Sequence, residues 1–197
     1  MRPFGVLALQ GDFAAHAAAF RDLGVPVREV RRVHELDSLS GLMIPGGEST
    51  TLLNLMRDEP WFEALRRFHR DGAVLAGTCA GAILLAREVK PQQPSLGVLD
   101  VAIERNAYGR QVDSFETSID APALGGPVEA IFIRAPRFRS VGPAVEVLGR
   151  HHDEPVLVRQ GRVVAGTFHP ELTGSRALHR YVAELAERER TAPARVA

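Results

Sequence analysis

Five residues near the middle of the chain, Gly77-Thr78-Cys79-Ala80-Gly81, leave little freedom to the fold around them. A short apolar run, Ala73 to Ala76, precedes them, and a helix-like run, Ala82 to Arg87, follows. Strand, sharp turn, helix, with the chain's only cysteine at the apex, is the thiol form of a nucleophile elbow, G-x-C-x-G. So tight a turn strains the backbone at the nucleophile, and small neighbours make room for it. The geometry exposes the sulfur at the carboxyl end of a sheet. It also aims a helix N-terminus at it, whose unpaired N–H groups and dipole favour a thiolate. A lone cysteine is more often a small buried hydrophobe. The pentapeptide alone therefore does not separate catalysis from packing, and a base, an orienter and an oxyanion site must come from elsewhere.

The rest of the chain supplies a sheet for such an elbow. Phe4 to Leu9 reads as a first strand, followed by Asp12 as N-cap of a helix with Phe13, Ala17 and Phe20 on one face and Gly24 as its stop. Val25 to Val30 and the fully apolar Leu42 to Ile44 read as further strands. A helix is expected from Thr50, and another after Pro60 with Phe62, Leu65 and Phe68. This alternation predicts a three-layer, mostly parallel, doubly wound α/β sheet. After about residue 90 the rhythm changes. Val101 to Glu104, Ser114 to Ile119, Val128 to Ile133, Val145 to Leu148, Val156 to Arg159 and Arg162 to Thr167 read as strands. They lie too close for crossover helices, so antiparallel additions are expected in this half, with Gln160-Gly161 as a hairpin turn. A closing helix runs from about Ser175 to Glu189 with Leu178, Tyr181, Val182 and Leu185 inward. A single domain over residues 1–189 with a frayed tail at 190–197 is the expected organisation.

Composition excludes several functions. Of 197 residues, 24 are Lys or Arg and 24 Asp or Glu, so there is no net charge to draw the chain to nucleic acid or an anionic membrane. No apolar run has the length of a membrane span, and the N-terminal one is too short for a signal-peptide core. One cysteine forms no internal disulfide, consistent with a cytoplasmic location. No zinc, P-loop or dinucleotide signature is present, so neither metal nor cofactor is expected.

His169-Pro170-Glu171 follows the last expected strand. Proline biases the residue before it toward an extended conformation, in which residues two apart point the same way. Glu171 can then accept one ring N–H of His169 and leave the other nitrogen as a base. His169 and Cys79 both sit at strand ends, where a parallel sheet brings them together. Pro45-Gly46-Gly47-Glu48-Ser49 also ends a strand and opens a helix, with Ser49 available as N-cap. Its glycines let backbone N–H groups face a ligand, which suits an oxyanion hole at Gly47 completed by the N–H of Ala80. The remaining histidines read as incidental. His151-His152-Asp153-Glu154 reads as a solvated loop, and His16, His34, His69 and His179 have no constellation around them.

An elbow cysteine, a later His-x-Glu and a glycine-rich turn together resemble the class I, triad-type glutamine amidotransferases, whose order Cys, His, Glu is met by Cys79, His169 and Glu171. The stretches Gly5 to Gly11, Pro45 to Thr51, Arg105 to Gln111, Ser114 to Glu116 and Phe132 to Pro136 narrow the resemblance to the glutaminase subunits of pyridoxal 5′-phosphate synthase. The resemblance implies glutamine hydrolysis through a thioester on Cys79. It also implies glutamine contacts at Gly47, Glu48, Ser49, Arg105, Ile133 and Arg134. Ammonia would pass to a (β/α)₈-barrel synthase with a twelve-subunit core, pyridoxal 5′-phosphate being a product and not a bound coenzyme. The family commonly has Glu-His early in its first helix, where this chain has Ala15-His16.

Overall fold

The computed structural model describes residues 2–105, 107 and 114–191. Strands β1 (Phe4–Leu7), β2 (Val27–Val30), β3 (Gly41–Ile44), β4 (Val74–Thr78) and β12 (Val163–Gly166) run parallel in the order β2-β1-β3-β4-β12. The sheet continues antiparallel through β11 (Glu154–Gln160), β10 (Glu146–His151), β7 (Ser114–Ala121) and β8 (Gly126–Ile133). The parallel strands β1, β3 and β4 are buried at every position, as strands covered on both faces must be. The parallel half and its antiparallel extension thus follow the expected pattern.

Two apolar cores cover the two faces. On one side α1 (Phe13–Asp22) and α5 (Ala177–Thr191) bring Ala17, Phe20, Leu178, Val182 and Leu185 against Phe4, Val6, Met43, Val74 and Val164. On the other, α2 (Ser49–Leu55), α3 (Trp61–Arg70) and α4 (Ala80–Leu85) bury Leu52, Trp61, Leu65, Phe68 and Ile83 against Leu7, Leu42, Ile44 and Leu75. Helix α1 stops at Gly24, whose φ of +69° is the left-handed turn that glycine favours.

Several local expectations are corrected. The run Ala82 to Arg87 is helical only to Leu85, and Ala86–Lys90 is a strand, β5. With β6 (Leu99–Glu104), which contains the expected strand Val101 to Glu104, and β9 (Arg137–Val141), which was not expected, it makes a second sheet, β5-β6-β9. Asp12 makes no side-chain cap, and α2 is capped by Glu48, which accepts the Thr50 N–H at 3.0 Å, rather than by Ser49. Glu48 wins because its longer side chain folds back while Ser49 turns inward to donate to Gln93 Oε1 at 3.2 Å. His151 ends β10 and packs against Phe115 and Phe132 instead of lying in a solvated loop. The hairpin turn into β12 is Gly161-Arg162, one residue later than expected, with Gly161 at φ +56°. Most of the expected Arg105 to Gln111 motif, and residues 192–197 of the tail, lie outside the described residues.

Candidate active site

The carboxyl ends of four parallel strands build one site. Strands β4 and β12 are neighbours with Thr78 opposite Gly166, and the Cys79 N–H bonds the Gly166 carbonyl at 2.8 Å. One residue past β4 therefore stands beside the first residues past β12, and Cys79 meets His169. The chain order places the switch of winding between β1 and β3, where open α/β sheets bind ligands. Gln10 and Gly46 follow those two strands.

The elbow has the strain its sequence implies. Cys79 sits at φ 48°, ψ −104°, a conformation ordinary side chains avoid. Gly77 and Gly81 serve closeness rather than φ. A Cβ on Gly81 would lie 2.0 Å from the Ile44 carbonyl oxygen, and one on Gly77 would lie 2.5 Å from the Gly81 carbonyl carbon. Cys79 itself is 7% exposed and shares a hydrogen bond with His169.

His169 Nδ1 lies 2.8 Å from Glu171 Oε1, and both side chains are buried. Nδ1 is thereby taken, and Nε2 is the nitrogen left for the sulfur. The route to this pair differs from the extended one expected. Pro170–Leu172 is a 3-10 turn, with His169 at φ −110°, ψ 84° before it. Proline at the first position of the turn supplies the right φ, and the turn curls Glu171 back beneath the ring. The His169 N–H bonds the Ile131 carbonyl at 2.8 Å and ties this turn to β8.

Burial opposes charge on both members of the pair and is outweighed on both. His169 is raised to about 10 because hydrogen bonds and opposite charge from Cys79 and Glu171 exceed the desolvation cost. Glu171 is held far below the usual carboxylate range against its own burial, by the close His16 ring and by its hydrogen bond with His169. The imidazole thus stands between Glu171 and Cys79, placed to relay a proton from the sulfur.

The glycine turn lies against this pair. A Cβ on Gly46 would fall 2.4 Å from His169 Cε1 and 3.2 Å from Cys79 Cβ, so only glycine leaves the space. Gln10 clamps the turn from outside: its Nε2 donates to the Gly46 carbonyl at 3.2 Å, and its Oε1 accepts the Glu48 N–H at 3.1 Å. Peptide planarity then directs the Gly47 N–H away from Gln10. Gly47 has φ +126°, open to glycine alone. Ala80 opens α4 directly after the nucleophile.

Three of the expected glutamine contacts, Glu48, Arg105 and Arg134, lie near one another. Arg105, only 16% exposed in its side chain, reaches Glu48 Oε1 at 3.4 Å. Arg134 follows Ile133 at the end of β8 with φ 41°, a strained value for a non-glycine residue, and its charge also bears on Glu48. A carboxylate and two guanidiniums thus stand together, complementary to the ammonium and carboxylate of an amino acid. Atoms of Asp12, His169 and Glu171 lie within 4.8 Å of one another, but the last two are spent on each other, which leaves a cation little to bind.

The sequence reading missed Gln10, Thr78, His16 and His179, and its dismissal of two histidines is corrected. His16 Nε2 is 3.2 Å from Glu171 Oε2 and 3.2 Å from Thr78 Oγ1, and His16 Nδ1 is 2.9 Å from His179 Nε2. Both histidines are fully buried. One signal was available: His16 falls between Phe13, Ala17 and Phe20 on the core-facing stripe of α1, where a polar side chain requires a partner.

This fold and this arrangement define a class, a mostly parallel α/β scaffold carrying a cysteine, a histidine and a glutamate at adjacent strand ends. The model of the SNO glutamine amidotransferase family matches residues 6–187, and the chain belongs to that family. The chain is 57% identical over 185 residues to the pyridoxal 5′-phosphate synthase subunit PdxT of Thermus thermophilus, covering 92% of this chain and 96% of that one. It is 51% identical to the protein of the same name from Deinococcus radiodurans, with the same coverage. A crystal structure of a glutamine amidotransferase superposes with a TM-score of 0.89 at 52% identity, over 93% of this chain and 98% of that one. The structure of PurLQS from Thermotoga maritima, 16% identical with a TM-score of 0.72, shares the fold over 93% of this chain and 99% of its own.

Proposed function

We propose that the chain is the glutaminase subunit of a pyridoxal 5′-phosphate synthase, hydrolysing L-glutamine to L-glutamate and ammonia. The observation that carries this reading is the buried line from Glu171 through His169 to Cys79, within a family of glutamine amidotransferases.

Glutamine enters with its α-carboxylate toward Arg105 or Arg134 and its ammonium toward Glu48, while Ser49 and Ile133 complete the walls. The Cys79 sulfur attacks the side-chain carbonyl carbon. The developing oxyanion is received by the N–H groups of Gly47 and Ala80, and removal of one such donor typically costs about 10²–10³ in rate. His169 passes the thiol proton to the departing nitrogen, and ammonia leaves a thioester behind. Water, deprotonated by the same imidazole, attacks the thioester. Glutamate departs, and the proton returns to the Cys79–His169 pair. Glu171 holds the ring in the tautomer that presents Nε2 throughout.

Ammonia is mostly protonated at neutral pH and then is no nucleophile, so it passes directly to an acceptor. That acceptor is a (β/α)₈-barrel synthase subunit assembled as a dodecamer, in the cytoplasm. No helix among the described residues is long and apolar enough to cross a membrane.

A peptidase built on the same fold would use the same three residues, so the test must separate them. Treated with an electrophilic glutamine analogue, the assembled complex is expected to gain one adduct per glutaminase subunit, mapped to Cys79 by mass spectrometry, and to show no peptide cleavage. An unlabelled Cys79, or turnover of peptides, refutes the reading.

A further inference from the structure

The triad accounts for only one oxygen of Glu171. The other, Oε2, faces His16 Nε2 at 3.2 Å in a place without solvent, since neither side chain is exposed. The same nitrogen is 3.2 Å from Thr78 Oγ1, on the residue before the nucleophile, and only that line has hydrogen-bond geometry, so Oε2 is held by a close contact and accepts no hydrogen bond among the described residues. Behind His16 stands His179 at 2.9 Å, from α5, and behind His179 the Phe20 ring meets it edge-on with centroids 5.1 Å apart. His179 Nδ1 is buried and has no hydrogen-bond partner among the described residues. Helix α1, helix α5, the end of β4 and the Pro170–Leu172 turn converge on this line.

Counting protons along it leaves one arrangement. His16 Nε2 faces a carboxylate and must carry hydrogen. With His16 neutral, its Nδ1 is a bare acceptor, so His179 Nε2 must carry the hydrogen between them. His179 Nδ1 is then a bare lone pair, and no N–H is orphaned. Any extra proton on either ring ends as an unpartnered N–H on the buried His179 Nδ1, a donor of the kind folded proteins avoid. Both N–H groups therefore point one way, toward the end of β4, where the His16 N–H meets Thr78 Oγ1 and lies beside Glu171 Oε2. We propose that His16, backed by His179, is a positioning residue of the glutaminase reaction. The pair fixes the second oxygen of Glu171, so that its first oxygen keeps His169 oriented with Nε2 on Cys79.

The inference rests on the glutaminase reading and extends it. The charged and titratable groups facing the line are Cys79, His169, Glu171 and the nearby Asp12 at the triad end, and Arg176 at the His179 end. His16→Leu removes the contact. In the assembled complex it should lower kcat by about tenfold or more, the scale of a misplaced reacting group, with KM within about twofold. The alkaline limb of the kcat/KM profile should move to lower pH, because a loosened Glu171 supports the His169 proton less. His16→Gln, whose amide can donate to the same oxygen, should restore most of kcat and the position of the limb. A lowered melting temperature with unchanged kcat per folded molecule and an unmoved limb overturns the proposal, as does a Gln variant no better than Leu. An inactive wild-type complex would instead refute the glutaminase reading. Should His16→Leu not fold, nitrogen-15 NMR of the imidazoles in the full wild-type chain decides at neutral pH. The proposal requires hydrogen on Nε2 of both His16 and His179, and a His179 Nδ1–H or an imidazolium at either residue contradicts it.

Discussion

Glu171 sets the behaviour of His169 by its charge as well as its position. With the carboxylate present, the imidazole holds its proton to about pH 10. Glu171→Gln keeps a similar shape and removes the charge, so the His169 value falls and the alkaline limb of kcat/KM moves to lower pH. The rate near neutrality should fall by about tenfold or more, because the ring is also less well oriented. A profile of kcat/KM against pH for both proteins checks this, and identical limbs would show that the carboxylate does not act on the ring. The three triad residues were legible in the sequence because each sits in a short motif with its own chemistry. His16 and His179 were not, since their contact joins residues 163 positions apart and neither carries a motif.

At the scale of elements, the elbow depends on close approach between α4 and β3. Gly81→Ala drives a methyl into the Ile44 carbonyl oxygen, a backbone atom that cannot turn aside. Overpacking of this kind costs about 1–3 kcal/mol. The expected result is a melting temperature lower by several degrees and a loss of activity, because α4 carries the Ala80 N–H. Gly174→Ala, with nothing within 4 Å of the added methyl, should leave the melting temperature unchanged. Parallel thermal melts of the two variants check this. The elbow was readable because apolar run, glycines and cysteine follow one another directly. The strand β5 was not, because Ala86 continues from Leu85 without a breaker and the apolar run gives no mark of where the helix ends. Likewise the His169–Glu171 contact was anticipated while its backbone was not. A histidine and an acid two apart can meet along an extended chain or, as here, around a 3-10 turn, and the sequence pattern suits both.

For the molecule as a whole, the parallel half could be read because all its strands except β2, which carries Arg28 and Glu29, are short runs of mostly apolar residues. The pairing of β5 with β6 and β9 required tertiary contacts that no local pattern displays. Burial also gives the fold a pH dependence. His179 is lowered to about 3, chiefly by burial, while in the unfolded chain a histidine titrates near 6.5. Between those values the unfolded state binds a proton that the folded state refuses. Stability therefore falls as pH falls, by about 1.4 kcal/mol per unit at most from this group. Denaturant unfolding of His179→Leu across this range should show a flatter slope than the parent, and equal slopes would remove His179 from the effect. Glu171 acts in the same direction only below the ordinary carboxylate range, where the unfolded chain begins to bind its proton. The most direct test of the whole account is ammonia release from glutamine, measured for the purified chain and for Cys79→Ala, each with and without the barrel synthase. The account predicts weak release by the chain alone, a marked rise on adding synthase, and none above background from Cys79→Ala, which still binds the synthase. Release that persists in Cys79→Ala, or that never appears in the parent complex, would contradict it.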